Sequence, residues 1–191
     1  MENGVVAVAH VSRDDPRRAY FEAAYAILST EGYAGLKLAA VCRRLSVSTG
    51  GFYHWFTSWQ EFTDAMLEDW RHHRTTAVAE LARSIPDPVE RLESLAATTA
   101  HLDRAAEGAI RVWSRVDPQV GEVQRVVDEQ RFDVVMEAMR DLVGPDAAHQ
   151  FARLGYSVLV GFELLAADGA TDELAWSLDQ VLQAARRFAD R

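Results

Sequence analysis

Glu68, Asp69, His72 and His73 place each of two carboxylates four residues before a histidine, one helical turn apart. Imidazole and carboxylate at that spacing are ligand types for a divalent metal. A solvated charged helix face has the same spacing and needs no metal, so no metal site is expected. A partial Ser/His/Asp set can be assembled from any chain of this size and carries no weight. No HExxH, nucleophile elbow or glycine-rich phosphate loop occurs. The chain therefore does not read as an enzyme, and no catalytic residue or cofactor is expected. The most specific cluster is VSTGGFYHWF, residues 47–56, which packs hydroxyls, an imidazole, two adjacent glycines and four aromatics into ten positions. Such residues can donate hydrogen bonds to nucleic acid while the glycines let a backbone come close.

The charge around this cluster points the same way. The 191-residue chain carries 20 Lys/Arg and 29 Asp/Glu, a net charge of −9. Residues 1–75 hold 8 basic and 9 acidic side chains, whereas residues 76–191 hold 12 and 20. No carboxylate lies between Gly32 and Gln60, a stretch that contains Lys37, Arg43 and Arg44. A basic island in an acidic protein is a modest electrostatic footprint for a polyanion. Nearly every basic residue is Arg, with Lys37 the sole Lys, which hints at a GC-rich bacterial genome.

Composition excludes several classes. At 49% hydrophobic the chain can bury a core, so disorder is not expected. Cys42 is the only cysteine, so no internal disulfide can form, and a small buried hydrophobe is its expected role. The N-terminus lacks the pattern of a signal peptide. The longest apolar run, SVLVGFELLAA, is interrupted by Glu163 and too short to span a bilayer. A soluble cytoplasmic protein with no membrane partner is expected.

The elements that position the cluster read as helices throughout, because apolar residues recur at three and four. Residues 1–13 form a loose tail. Asp14 or Asp15 caps a first helix with Pro16 at its first position, and Gly32 ends it. Its inner face is Tyr20, Ala24, Ile27 and Leu28. A second helix spans residues 38–45, with Leu38, Val41, Cys42 and Leu45 inward and Arg43 and Arg44 outward. Ser48 then caps one or two turns of helix, and Thr57-Ser58 opens a longer helix to about Arg83. Pro86 and Pro88 break the chain. Further helices follow at 88–102, 104–115, 118–143, 146–167 and 172–189, punctuated by Asp117-Pro118, Gly144-Pro145 and Asp168-Gly169.

Three short helices with a tight turn between the second and third make a helix-turn-helix unit, whose third helix enters the major groove. Thr49, Gly50, Gly51 and His54 then face the groove, Val47, Phe52 and Phe56 point inward, and the Tyr53 hydroxyl reaches a phosphate. Trp55 has no assigned role. The competing expectation is a glycine-weakened loop that packs aromatics, which leaves the carboxylate gap and the serine cap unexplained.

The stretch GYAGLKLAAVCRRLSVSTGGFYHWFTSWQEF resembles the DNA-binding segment of TetR-family transcriptional repressors. Gly32-Tyr33, Val41, Val47-Ser48, Gly50, Phe52-Tyr53, Phe56, Ser58 and Glu61 match the family pattern in order and spacing, and YFEAAYAILSTEGY is similar to its first helix. The likeness is specific over about residues 17–67. Beyond it, AIRVWSRVDP and DEQRF look like an element common in part of the family. The resemblance implies a DNA-binding domain over residues 14–60 and a helical ligand-binding and dimerisation domain over 61–191. It implies DNA contacts at Lys37, Arg44, Ser48, Thr49, Gly50, Gly51, Tyr53, His54, Ser58 and Trp59. The chain departs from the family at four places: Lys37 stands where Thr is usual, Ala40 where Asp or Glu is, Leu45-Ser46 where Ala-Gly is, and Trp59 where Lys is. Trp59 can donate an indole N–H to a phosphate but cannot supply charge.

In the larger half, Ala148, Phe151, Ala152, Gly155, Val158, Leu159, Phe162 and Leu165 form one apolar stripe, and Leu174, Leu178, Val181, Leu182, Ala185 and Phe188 another. Paired as a hairpin about Asp168-Gly169, they suit a homodimer through a four-helix bundle, with Phe151, Gly155, Val158, Phe162, Leu178, Val181, Leu182 and Phe188 in the interface. Val120, Val123, Val127 and Val134 share one face of residues 118–143, and Phe132, Met136, Met139 and Val143 share another, which places that helix deep in the protein or beside a cavity. Trp70, His101, Trp113, Phe132, Met136, Met139 and Tyr156 are the candidate ligand-binding residues, with His101 and Arg131 as buried polar groups. The expected function is a sequence-specific DNA-binding regulator: a dimeric repressor on a palindromic operator, released by a small-molecule effector. The alternatives are an all-α small-molecule-binding protein or enzyme whose N-terminal bundle is structural, and a DNA-binding activator or architectural protein without ligand control.

Overall fold

Helical periodicity along the sequence becomes helix along the chain. The structure is a computed structural model that describes residues 16–165 and 171–190, and no strand occurs among them. The proposed Asp14/Asp15 cap, the tail and the Asp168-Gly169 turn lie outside the described residues.

α1 (Arg18–Gly35) buries Tyr20, Phe21, Ala23, Ala24, Ile27 and Leu28, and leaves helical geometry at Gly32, whose φ of 65° suits a residue without Cβ. α2 (Leu38–Leu45) ends at Ser46, which adopts the left-handed conformation (φ 56°) and donates its N–H to the Arg43 carbonyl. Ser46 holds that left-handed turn without being glycine, at a cost of roughly 1–2 kcal/mol. α3 (Thr49–Tyr53) starts at Ser48, whose Oγ accepts the Gly51 N–H at 3.1 Å. α4 (Trp59–Arg71) starts at Ser58, whose Oγ accepts the Glu61 N–H at 3.0 Å. Glu61 reaches back to the N–H and hydroxyl of Thr57, a variant of the capping box. Those Thr57 bonds hold the Glu61 carboxyl below the usual range.

The helix that runs on to Arg83 carries an unexpected feature. Residues His72–Thr76 form a π-helical turn between α4 and α5 (Ala77–Arg83). Nothing in HHRTT breaks a helix, so these residue types carry no sign of the turn. Aspartates cap the next three elements, with proline at the first position of two of them. These are α6 (Pro88–Ala100), α7 (Arg104–Trp113) and α8 (Pro118–Val143). α9 (Pro145–Leu165) and α10 (Thr171–Ala189) complete the fold.

The core is built in sections. Phe21, Phe52, Phe56 and Phe62 gather with ring centroids 5.0–6.0 Å apart. That cluster continues into α7 through Ile110 and Trp113 and into α8 through Val120 and Val127. A second cluster joins α6, α8, α9 and α10 around Leu92, Met139, Ala148, Ala152, Val181 and Leu182. The two apolar faces of α8 are thus both used. Its first half serves the N-terminal core, with Val134 in a small cluster with α5 and α6, and its second half serves the C-terminal core.

α7 and α9 touch backbone to backbone at Gly108. A Cβ there would stand 2.3 Å from the Glu163 carbonyl oxygen. Gly108→Ala is therefore expected to force the helices apart and to destabilise the fold by about 1–3 kcal/mol despite the better helix propensity of alanine. Chemical denaturation of the purified variant checks it, and an unchanged or raised midpoint would show that the crossing gives way freely.

Candidate nucleic-acid interface and ligand cavity

α3 is only five residues long and carries two glycines, so its own propensity cannot hold it. Phe52 and Phe56 hold it instead. Both are fully buried, and the Tyr20 ring lies edge-on to each at 5.9 and 5.5 Å. The Tyr20 hydroxyl also donates to the Gly51 carbonyl at 3.3 Å. Pinned from beneath, the helix turns Thr49, Gly50, Tyr53 and His54 outward, with Tyr53 48% exposed. Gly51 is half-buried. A Cβ on Gly50 or Gly51 would meet nothing closer than 3.6 Å, so the fold itself does not require either glycine.

Lys37 and Arg44 are exposed on the flank formed by α2, beside Arg43. Ser48 and Ser58 already use their oxygens as helix caps and keep a hydroxyl proton to donate. Trp59 sits differently from its neighbours. Its ring is half-buried, stacked on Phe52 at 6.1 Å and tilted on Phe62 at 5.0 Å. Most of this side chain therefore serves the core rather than a surface. Trp55 is exposed and lies edge-on to His54 at 5.0 Å.

The larger half contains a cavity of about 290 Å³ among α6, α8, α9 and α10, lined mainly by apolar side chains such as Leu92, Leu95, Leu159 and Leu178. A 50 Å³ pocket adjoins it across Leu95, Thr99, Val135, Tyr156 and Leu159 and reaches Arg74, Thr75 and Arg131. Of the seven expected ligand-binding residues, Met139 and Tyr156 line the cavity. His101 corrects the expectation of a buried polar group: it is exposed, with its Nδ1 paired to the Ala97 carbonyl at 2.7 Å. Trp113 is buried where α7 meets α1, its ring stacked on Tyr33 at 5.0 Å. Met136 packs into the C-terminal core away from the cavity lining. Phe132 lines an open polar groove of 520 Å³ on the other side of Tyr156, beneath the Arg153 guanidinium. Trp70 is buried, and its indole N–H donates to Glu107 at 2.7 Å.

That bond belongs to a buried charge network. The Arg131 guanidinium lies 5.6 Å above the Trp70 ring and donates to Glu107 (2.9 Å), Glu163 (3.4 Å), Thr75 Oγ1 (3.0 Å) and the Arg74 carbonyl (3.4 Å). Arg111 donates to Glu163 at 2.8 Å and, through two nitrogens, to Asp128 at 2.9 and 3.0 Å. Tyr156 and Gln124 each donate to Asp128 at 2.8 Å. Burial works to raise the Asp128 carboxyl, but Arg111 and the two neutral donors hold it below the usual range. Burial and the Asp128 charge raise the Tyr156 hydroxyl well above its ordinary value, so it stays a donor. The sequence marked Arg131 alone. Glu107, Arg111, Asp128 and Glu163 were missed, although a lone carboxylate breaking the apolar run around Glu163 was a signal.

The stripes of α9 and α10 divide between two duties. Gly155, Val181 and Leu182, expected at a dimer face, are buried inside the chain against one another and α8. Leu178 lines the cavity. Phe151, Val158 and Phe162 are half-buried, and Phe188 is exposed with its ring 5.6 Å from Phe151. Leu165, the last member of the stripe read from the sequence, is exposed at 82%, and Leu154 and Trp176, unassigned from sequence, are exposed on the outside of these helices at 50 and 66%. No group of residues suited to hold a metal occurs among those described, nor any helix long and apolar enough to cross a membrane.

Comparison with curated proteins finds no match. Among solved structures, a transcriptional regulator from Rhodococcus sp. Rha1 superposes with a TM-score of 0.77 at 18% identity, covering 92% of this chain and 98% of its own. A TetR-family transcriptional regulator from Streptomyces coelicolor gives 0.69 at 16%, covering 89% and 95%. A regulator from Saccharomonospora viridis, solved in complex with choline, gives 0.67 at 18%, covering 87% and 95%. These likenesses establish the fold. Residues 21–66 match the family model for bacterial regulatory proteins of the tetR family, which spans the packed aromatic core, α2, α3 and the start of α4 described above. On that match residues 21–66 form a segment of the tetR-family type, within a chain whose overall fold is that of the solved regulators.

Proposed function

We propose that the protein is a homodimeric, cytoplasmic transcriptional repressor that binds a palindromic operator and is released from it by a small-molecule effector. The single observation that carries the proposal is α3: a helix too short to fold alone, held by buried aromatics, with Thr49, Gly50, Tyr53 and His54 facing out of a stretch without carboxylates. Residues 14–60 act as the DNA-binding domain and 61–191 as the effector and dimerisation domain, although their hydrophobic core is continuous. Thr49 and His54 read base edges, Gly50 and Gly51 allow close approach, and Tyr53, Lys37 and Arg44 contact phosphates. Ser48 and Ser58 add hydroxyl donors beside them. Trp59 serves mainly as the packing surface beneath α3.

The effector occupies the cavity among α6, α8, α9 and α10, whose lining suits a small, largely apolar molecule. The choline complex of the Saccharomonospora viridis relative supports a small-molecule effector in principle. The dimer forms through the outer faces of α9 and α10, where Phe151, Leu154, Val158, Phe162, Leu165 and Phe188 make an apolar stripe that the described residues leave exposed or half-buried.

Selection of the purified protein on random duplex DNA is expected to recover an inverted repeat, and recovery of no repeat would remove the proposal. On that sequence, Gly50→Ala is expected to raise thermal stability by up to about 1 kcal/mol while weakening DNA binding, because helix propensity improves as the backbone is held off the groove. Equal or tighter DNA binding would show that α3 does not approach DNA along Gly50. Leu154→Glu is expected to shift the protein from dimer to monomer in analytical ultracentrifugation and to abolish binding to the full repeat. A variant that stays dimeric would place the interface elsewhere.

A further inference from the structure

Tyr156 stands at the only side chain shared by the 290 Å³ cavity, its 50 Å³ extension and the polar groove among the cavities described. Its ring forms cavity wall, while its hydroxyl is the first member of the buried network, donating to Asp128. From Asp128 an unbroken chain of charged hydrogen bonds crosses the protein: Arg111, Glu163, Arg131, Glu107 and finally the Trp70 indole in the last turn of α4. Glu107 lines none of these cavities, whereas its partner Arg131 lines the 50 Å³ extension together with Arg74 and Thr75 of the π-turn.

The far end also grips the one irregular turn of the helix. Arg131 holds both Thr75 and the Arg74 carbonyl, two groups of the π-turn His72–Thr76. A π-turn is one extra residue accommodated in an α-helix, and such turns recur at functional sites. Redistributing that residue would change how α4 is phased against α5. α4 would not move alone, because the Tyr25 hydroxyl ties α1 to it at the Met66 carbonyl (2.9 Å) and Asp69 (3.1 Å).

We propose that Tyr156, Asp128, Arg111, Glu163, Arg131 and Glu107 form a relay by which occupancy of the cavity repositions Trp70, the π-turn and, with them, α4 and the recognition helix. It rests on the reading of this cavity as the effector site. A molecule in the cavity displaces the Tyr156 ring and its hydrogen bond to Asp128. The guanidiniums then re-pair, since a buried charge left without its partner is costly. The two-state element is the π-turn, which Arg131 holds in its present form.

Ala96 lines the cavity from α6, so Ala96→Phe places a ring in it as a built-in occupant. On the selected operator, Ala96→Phe is expected to weaken DNA binding about ten-fold, within the usual range of allosteric coupling. Tyr156→Phe keeps the ring and removes the hydroxyl, and Glu107→Gln keeps the shape and removes the far charge. In either background Ala96→Phe is expected to weaken DNA binding by less than about two-fold, as the relay is already cut. Each comparison is made within one background, so a general loss of stability cancels. Ala96→Leu, a gentler insertion, is expected to give the same pattern at smaller amplitude. An equal effect of the insertions in all three backgrounds would overturn the relay while leaving the cavity reading intact. Insertions that leave DNA binding unchanged in the native background would overturn the cavity reading and the relay with it.

Discussion

Two guanidiniums and three carboxylates are buried or half-buried at the joint of α4, α7, α8 and α9, and the arrangement of those helices depends on satisfying them. Withdrawing such groups from water costs several kcal/mol each, and only close, directional pairing offsets it. Arg111 and Arg131 meet that condition by sharing Glu163, which is 1% exposed and accepts from both. The third carboxylate, Asp128, is the one turned toward the polar groove, where solvent can reach it. The sharing works only if α7 and α9 cross at backbone contact, so Gly108 and the ion network are one constraint seen twice.

An apolar cluster of the same volume would hold four helices together about as well as this network does. What the network adds is discrimination. Hydrophobic burial is non-directional, whereas a bidentate Arg111–Asp128 pair has one good geometry. A joint made this way prefers distinct arrangements over a continuum. That is a useful property at the joint between the N-terminal helices and the half that holds the cavity.

Local chemistry was legible in the sequence and long-range pairing was not. The bounds of α2, the Ser48 cap and the inward turn of Phe52 all follow from spacing within a dozen residues, and the structure has them. Glu107, Arg111, Asp128 and Glu163 look like ordinary helix-surface charges, because their partners lie 17 to 52 residues away. The apolar stripes of α9 and α10 were visible, but a stripe does not say which part faces the chain's own core. Gly155, Val181 and Leu182 went inward, and Leu154 and Leu165, on the same helical wheel, stayed out. His101 misled because a histidine among apolar residues reads as buried until the helix end is placed. Here α6 stops at Ala100, and His101 folds back on a carbonyl of its own last turn.

The recognition helix shows a separation of duties that bears on how such a face can vary. Its position is set from beneath by Phe52, Phe56 and the Tyr20 hydroxyl, and its start by Ser48. The exposed residues at 49, 50 and 54 take no part in that buried packing, and Tyr53 adds an edge contact of its ring to Phe52 at 5.4 Å. The packing that fixes α3 therefore sits on the inner side of one short helix, which leaves the outer side free to vary. The charge distribution makes the same separation at longer range. With −9 overall and no carboxylate between Gly32 and Gln60, most of the surface repels a polyanion and that stretch does not. At physiological ionic strength such fields decay over about 8 Å, so the acidic bulk does little to weaken contact at the recognition face once it is made. Its effect is on approach: encounters of a polyanion with any other face are disfavoured.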